Sequence, residues 1–289
     1  MINNNNENKI FKIFLILALI LNNPIHNYFV INRKNNQIIL ANSTTLKIFI
    51  MAHKDFYNAR YNPVYNIVVD DKSQLKNKYF LNIIYSNKGQ LYKMSRAYGE
   101  MSKLYFIYQL YKNETIFSRY IGLNHYRRFF NFGDNIPNID NIFKKYDVIL
   151  DKQINLKKDN IMTQYCKNHI CKIFVEILDI IKSIKPNYYK SALKTVKKRK
   201  MYIGNIFIMK KEDFFKYCEF IFDILFEFDK RNNLTSDIDV FNYTKKFYNN
   251  NEECFIQSRL QGYLAERISN IFFNYYFKKI KTISIDFII

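Results

Sequence analysis

Short apolar runs alternate along this chain with longer stretches in which apolar residues recur three or four positions apart. The short runs, at residues 47–51, 65–69, 120–123, 147–150 and 203–209, are mostly rich in Ile, Val, Phe or Tyr and predict strands. Over residues 96–112 the positions Ala97, Met101, Leu104, Tyr105, Tyr108 and Tyr111 fall mainly on one helical face. Residues 212–230 repeat the pattern with Phe215, Cys218, Phe222, Leu225 and Phe226, and residues 254–276 predict a third helix. Strands separated by helices of this length predict an α/β fold, a mainly parallel sheet with helices on its faces and a helical C-terminal part.

The N-terminus breaks this pattern. Residues 13–21 form an unbroken apolar run preceded by Lys9 and Lys12 and followed by Asn22-Asn23-Pro24. A bilayer-spanning helix needs about 20 apolar residues, so the run is too short to span comfortably. A signal-peptide core of about 7 to 15 residues matches it in length and charge, but no small-x-small cleavage site follows promptly. The run therefore reads as part of an extension over residues 1–45 that touches a membrane interface, with a cleaved signal as the alternative. One domain is expected over residues 46–289, because no Pro-, Gly- or Ser-rich linker and no repeat interrupts it and only 6 Gly and 4 Pro occur in the chain.

Composition narrows the partners. A formal net charge of +20 implies contact with phosphate, as nucleic acid, anionic lipid or a phosphorylated substrate. The 24 Tyr and 27 Phe could stack on bases, but many recur at core spacing and no nucleic-acid module is visible, so no nucleic-acid partner is expected. A membrane-surface role fits better. Cys166, Cys171, Cys218 and Cys254 are few and unevenly spaced, which predicts buried thiols in a cytoplasmic protein. Cys166, His169 and Cys171 lack a clear fourth ligand for zinc.

Candidate chemistry concentrates where the third of these apolar runs, continuing as Tyr120-Ile121-Gly122-Leu123-Asn124, stops at His125-Tyr126-Arg127-Arg128. Ligands of open α/β sheets bind outside the carboxyl ends of strands, and guanidiniums there can bond phosphate oxygens bidentately. The alternatives are a basic surface turn, an arginine paired with a buried carboxylate, and a core position for Tyr126. Two acidic pairs could supply a metal site. Asp70-Asp71 ends a strand run but reads better as a solvated turn, and Asp237-Ile238-Asp239 reads better as a helix start or plain surface.

The 120–130 segment resembles the signature of a bacterial glycosyltransferase family found in capsular and O-antigen polysaccharide loci, catalogued as domain of unknown function 4422. Further similar pieces arrive in family order over residues 46–278. They are Leu46-Lys47-Ile48-Phe49-Ile50-Met51-Ala52-His53-Lys54, Tyr98-Gly99-Glu100-Met101-Ser102-Lys103-Leu104-Tyr105 and Lys145-Tyr146-Asp147-Val148-Ile149-Leu150. Tyr165 with His169, Asn205-Ile206-Phe207-Ile208-Met209-Lys210-Lys211-Glu212 and Arg259-Leu260-Gln261-Gly262-Tyr263-Leu264-Ala265-Glu266-Arg267 complete the set. Gly99 and the polar stretch 232–251 depart from the family pattern.

The resemblance implies a GT-A-like, Rossmann-related fold and transfer of a sugar from a nucleotide diphosphate donor to a glycan acceptor, lipid-linked and at the inner face of the cell membrane. The competing class is a non-catalytic basic module that binds membrane or nucleic acid. On the family reading Glu266 is the candidate base and His125 a second catalytic candidate. His53, Lys54, Glu100, Tyr126, Arg127 and Arg128 would bind the donor, and Tyr165 and His169 would line the acceptor side. Structural readings stand beside these: a Glu266 ion pair, a helix-start acid at Glu100, a solvated strand end at His53 and Lys54, and a satisfied helix histidine at His169. No metal ligand is assigned, and dependence on Mn or Mg is open.

Overall fold

The computed structural model describes residues 44–52, 64–70, 81–85, 91–133 and 135–287. The 13–21 run, His53, Lys54 and Asp71 lie outside the described residues. The strands are β1 (Thr44–Met51), β2 (Tyr65–Asp70), β3 (Leu81–Tyr85), β4 (Ser118–His125), β5 (Arg128–Phe130), β6 (Val148–Leu150), β7 (Ile154–Asn155), β8 (Lys200–Met201), β9 (Phe207–Lys210), β10 (Ile280–Thr282) and β11 (Ile285–Phe287). The helices are α1 (Ser95–Tyr98), α2 (Glu100–Lys112), α3 (Ile139–Phe143), α4 (Ile161–Asn168), α5 (Cys171–Ile184), α6 (Pro186–Thr195), α7 (Lys211–Asn232), α8 (Asp237–Thr244), α9 (Asn251–Gln257) and α10 (Leu260–Tyr276).

The main sheet runs in the order β10-β6-β9-β4-β1-β2-β3. β3, β2, β1 and β4 are mutually parallel, and β10 is parallel to β6. β9 runs antiparallel between β4 and β6. The expected mainly parallel sheet is therefore present, with one reversed strand inside it. The two-residue alternation of strands sends Phe49, Met51, Ile121, Leu123, Phe207 and Met209 into one core with α2, α7 and α10. Ile48, Ile50, Tyr120, Ile149 and Ile208 enter a second core on the opposite face, with Tyr126, Phe129 and Phe143. Both faces of the sheet are thus covered, as parallel sheets require.

Three expectations are corrected. The single helix over 96–112 is divided at Gly99, whose φ of +56° and ψ of −131° suit a residue without Cβ. The helix over 254–276 is likewise two, α9 and α10, separated at Ser258-Arg259. Cys166 and Cys171 are not thiols but a disulfide. The chain turns sharply between α4 and α5 and brings their Cα atoms to 4.3 Å, within bonding reach. Cys218 and Cys254 are free and buried, as expected. Among the described residues no helix is long and apolar enough to cross a membrane.

Candidate active site

The register of the sheet gathers the candidate residues at one edge. Met51 at the end of β1 lies beside His125 at the end of β4. Leu150 at the end of β6 lies beside Phe207 at the start of the reversed β9. The carboxyl ends of β1, β4 and β6 and the loop entering β9 therefore share an edge, the place where open α/β sheets bind ligands.

At that edge β4 turns back on itself. Tyr126 and Arg127 form the turn, and Arg128 pairs with His125 in β5. The turn separates the two arginines. Arg127 is exposed, its guanidinium 4.9 Å from the Tyr126 ring centroid. Arg128 is half-buried and reaches Gly204, where a Cβ would stand 2.8 Å from Nη1. Its charge also opposes the upward push that burial gives the Asp151 carboxyl, which accepts the Lys152 backbone N–H at 2.6 Å. Tyr126 is buried in the second core, the packing alternative for that residue. The His125 ring sits 4.4 Å from that of Tyr126.

Two carboxylates approach the same edge. Gly204 (φ +75°) and Asn205 (φ +48°) make a tight left-handed turn before β9. Asn205 Nδ2 donates to Glu100 Oε1 at 3.2 Å, and Ser269 Oγ of α10 donates to Asn205 Oδ1 at 2.8 Å. Asn205 thus ties the start of α2 to α10. Burial first, and the charge of Glu266 second, raise the Glu100 pKa; the Asn205 bond and Arg259 oppose the shift. Glu266 is one helix turn before Asn270, whose side chain accepts Tyr202 N–H and donates to Tyr202 O, both at 2.8 Å. Glu266 is itself ion-paired, its Oε2 2.9 Å from Nη1 of the buried Arg267. Arg267 further donates to Tyr263 O and to Gln164 Oε1. Arg259, exposed at the start of α10, places Nη2 3.4 Å from where a Gly99 Cβ would stand.

The residues expected on the acceptor side sit deeper. Tyr165 is 0% exposed, packed against Phe174 and beneath the Arg267 guanidinium. Its hydroxyl is buried with no hydrogen-bond partner among the described residues. His169 stacks on Tyr263 at 4.2 Å and its Nδ1 bonds Gln257 Oε1 at 3.0 Å. Burial lowers its pKa to about 4 and keeps the ring neutral at pH 7. The satisfied-histidine reading describes it.

The acidic pair Asp237 and Asp239 begins α8, as its helix-start reading expects. Asp237 accepts the Arg96 and Ala97 backbone N–H groups, and Asp239 bonds Thr235 and Ser236. Both carboxylates are used locally. Among the described residues no three His, Cys, Asp or Glu side chains gather as a metal site requires.

Arg259, Asn205, Gly204 and Asp151 were not among the expected site residues. Asn205 and Arg259 open two of the family-like blocks, which was the signal available for them. Asp151 and Gly204 had none, because their neighbours come from segments far apart in the chain.

The family described as a domain of unknown function (DUF4422) matches residues 47–278. Among solved structures, one described as WbbM bifunctional glycosyltransferase, in apo form, is similar in fold, with a TM-score of 0.64 and 19% identity. The likeness covers 85% of this chain and 45% of that one, so the chain spans under half of that protein's length. No curated protein matches the sequence.

Proposed function

The chain belongs to the family described as domain of unknown function 4422, and we propose that it is a glycosyltransferase of GT-A type, moving a sugar from a nucleotide diphosphate donor to a glycan acceptor. The observation that carries this reading is the convergence of Glu100, Glu266 and Arg128 at the carboxyl edge of the sheet. They come from three separate segments: Asn205 of the turn bonds Glu100 and also Ser269 of α10, the helix that carries Glu266, while Gly204 stands against Arg128. The likeness in fold to a glycosyltransferase supports it.

In this reading Arg128 binds the departing diphosphate, where a fixed guanidinium stabilises the charge that develops on the leaving oxygen. His125, its partner across the hairpin, lies beside the same phosphates. Arg127 flanks the donor from the turn, over the buried Tyr126 ring, and His53 and Lys54 would follow the end of β1. Glu266 accepts the proton of the acceptor hydroxyl. Glu100, whose pKa burial raises, holds a proton to higher pH than an ordinary glutamate and can donate a hydrogen bond to a sugar hydroxyl. His169 and Tyr165 brace the acceptor side of α10. A lipid-linked acceptor in capsular or O-antigen polysaccharide synthesis, at the inner face of the membrane, is the substrate context we assign.

Calorimetric binding of a panel of uridine and guanosine diphosphate sugars tests the donor site, with manganese and with chelator. Selective binding by the wild type, weakened at least tenfold in Arg128→Ala, is expected. A folded protein that binds none of the panel selectively would overturn the reading.

A further inference from the structure

We propose that a basic face formed by the β7–β8 strand pair and the end of α6 docks this protein on an anionic phospholipid surface. Two segments, distant in sequence, are laced together there. Leu156 N–H donates to Arg199 O, Ile161 N–H to Lys198 O and Met162 N–H to Val196 O, while Ile154 faces Met201 and Asn155 faces Lys200 across the antiparallel pair. The lacing brings Lys157 and Lys158 of one segment beside Lys197, Lys198, Arg199 and Lys200 of the other, and all six are exposed. Across residues 152–162 and 194–201 the only acid is Asp159, which is already paired with Lys167 at 2.6 Å. The face therefore carries an uncompensated positive charge.

Two features choose lipid over other polyanions. The exposed apolar side chains in this region are aliphatic, Ile154 at 38% and Leu193 at 38% exposure, suited to enter the headgroup boundary while lysines reach the phosphates. No exposed aromatic ring lies on these segments to stack on a base, and stacking is what holds single-stranded nucleic acid. A second copy of the chain is disfavoured because each copy carries +20.

The face is also placed for use. β7 starts three residues after Asp151, and β8 ends three residues before Gly204. Both strands thus lead directly into the candidate active site, and docking would hold that edge against the bilayer, where a lipid-linked acceptor resides. Lipid binding stands on the charge and geometry alone; its use in delivering an acceptor rests on the transferase reading.

The test is flotation of the full chain with vesicles of phosphatidylcholine alone or with about a third phosphatidylglycerol, each at low and high salt. Wild type is expected to float with the anionic vesicles only, and less at high salt. Replacing Lys197, Lys198, Arg199 and Lys200 together by Gln should weaken partitioning by about two to three orders of magnitude, at roughly fivefold per cation. Ile154→Ser should weaken it up to about tenfold. Melting curves and nucleotide-sugar binding of the variants should match wild type. Should the fourfold variant fold poorly, Lys157→Gln/Lys158→Gln on the facing segment gives the same readout. Equal flotation of wild type and these variants would overturn the proposal, as would wild-type preference for a single-stranded RNA oligonucleotide over the vesicles. If vesicle binding follows the lysines while nucleotide-sugar binding is absent, docking stands and the transferase reading falls.

Discussion

Gly204→Ala separates a local backbone effect from a functional one. The residue has φ +75°, a conformation in which an L side chain costs about 1–2 kcal/mol. At roughly 2 °C per kcal/mol for a chain of this size, the melting temperature should fall by about 2–4 °C. The larger effect comes from the new Cβ, which would stand 2.8 Å from Arg128 Nη1. Restoring an ordinary contact of 3.4 Å moves the guanidinium by 3.4 − 2.8 = 0.6 Å at least. The arginine end is flexible and gives way, so the strain appears as misplacement of the charge. Loss of a charge-assisted contact to phosphate is worth about 1.5–3 kcal/mol, roughly a 10- to 150-fold weaker dissociation constant. Titration calorimetry on the wild type, Gly204→Ala, Arg128→Ala and the double variant, with the best nucleotide sugar of the panel, measures it. If Gly204 acts through Arg128, the double variant binds no more weakly than Arg128→Ala alone. Additive losses would refute the reasoning, because they would mean that the turn contributes to binding by another route.

Other measurements follow from single features. Asp229 is buried, with a pKa raised by burial to about 7, and accepts Tyr98 OH at 2.5 Å and Gln261 Nε2 at 2.6 Å. The native state thus holds this proton above the unfolded pKa of about 3.9, so stability should fall as pH rises from about 4 to 7 and flatten beyond. Asp229→Asn should flatten that segment of a melting-temperature profile, and an unchanged slope would assign it elsewhere. His169, lowered to about 4, has the opposite consequence: its neutral form stabilises the fold above its unfolded pKa of about 6.5, and that part is lost as pH falls towards 4. His169→Phe should make acid melting less steep between about pH 6 and 4. Asp237→Ala leaves two backbone amides of α1 without their acceptor and should cost about 1–3 kcal/mol in urea melts, with no change in any manganese response. Reducing the Cys166–Cys171 disulfide opens a loop closed over only a few residues, and should lower stability by about 2 kcal/mol in melts with and without dithiothreitol.

The parts of the fold governed by local pattern were readable. β4 and its cationic end stand out because an apolar run stops at charges. α7 stands out because Phe215, Cys218, Phe222, Leu225 and Phe226 hold helical spacing, although it is Phe214, not Phe215, that is buried. The break at Gly99 is invisible to periodicity, since the apolar positions on either side continue one face. The disulfide was equally hidden: its spacing fits an unbroken helix, and only the turn at His169-Ile170 folds the two sulfurs together. Within the site, Glu100 and Glu266 were named from their motifs, but Asn205, which joins α2 to α10 through residues 105 and 64 positions away, depends on tertiary placement. The orientation of β9 belongs to the same class, because a strand's direction is not encoded in its own apolar run.

That reversed strand has an evolutionary corollary. Since β9 runs against both β4 and β6, the 151–206 excursion departs from one edge of the sheet and comes back to it. Its length is set by no crossover and no strand register. Helices can be added to or trimmed from it at only the slowly rising entropy of a longer loop. Relatives can therefore diverge in this segment, and in the surface that it presents, while the sheet and the turn at Gly204 keep their places.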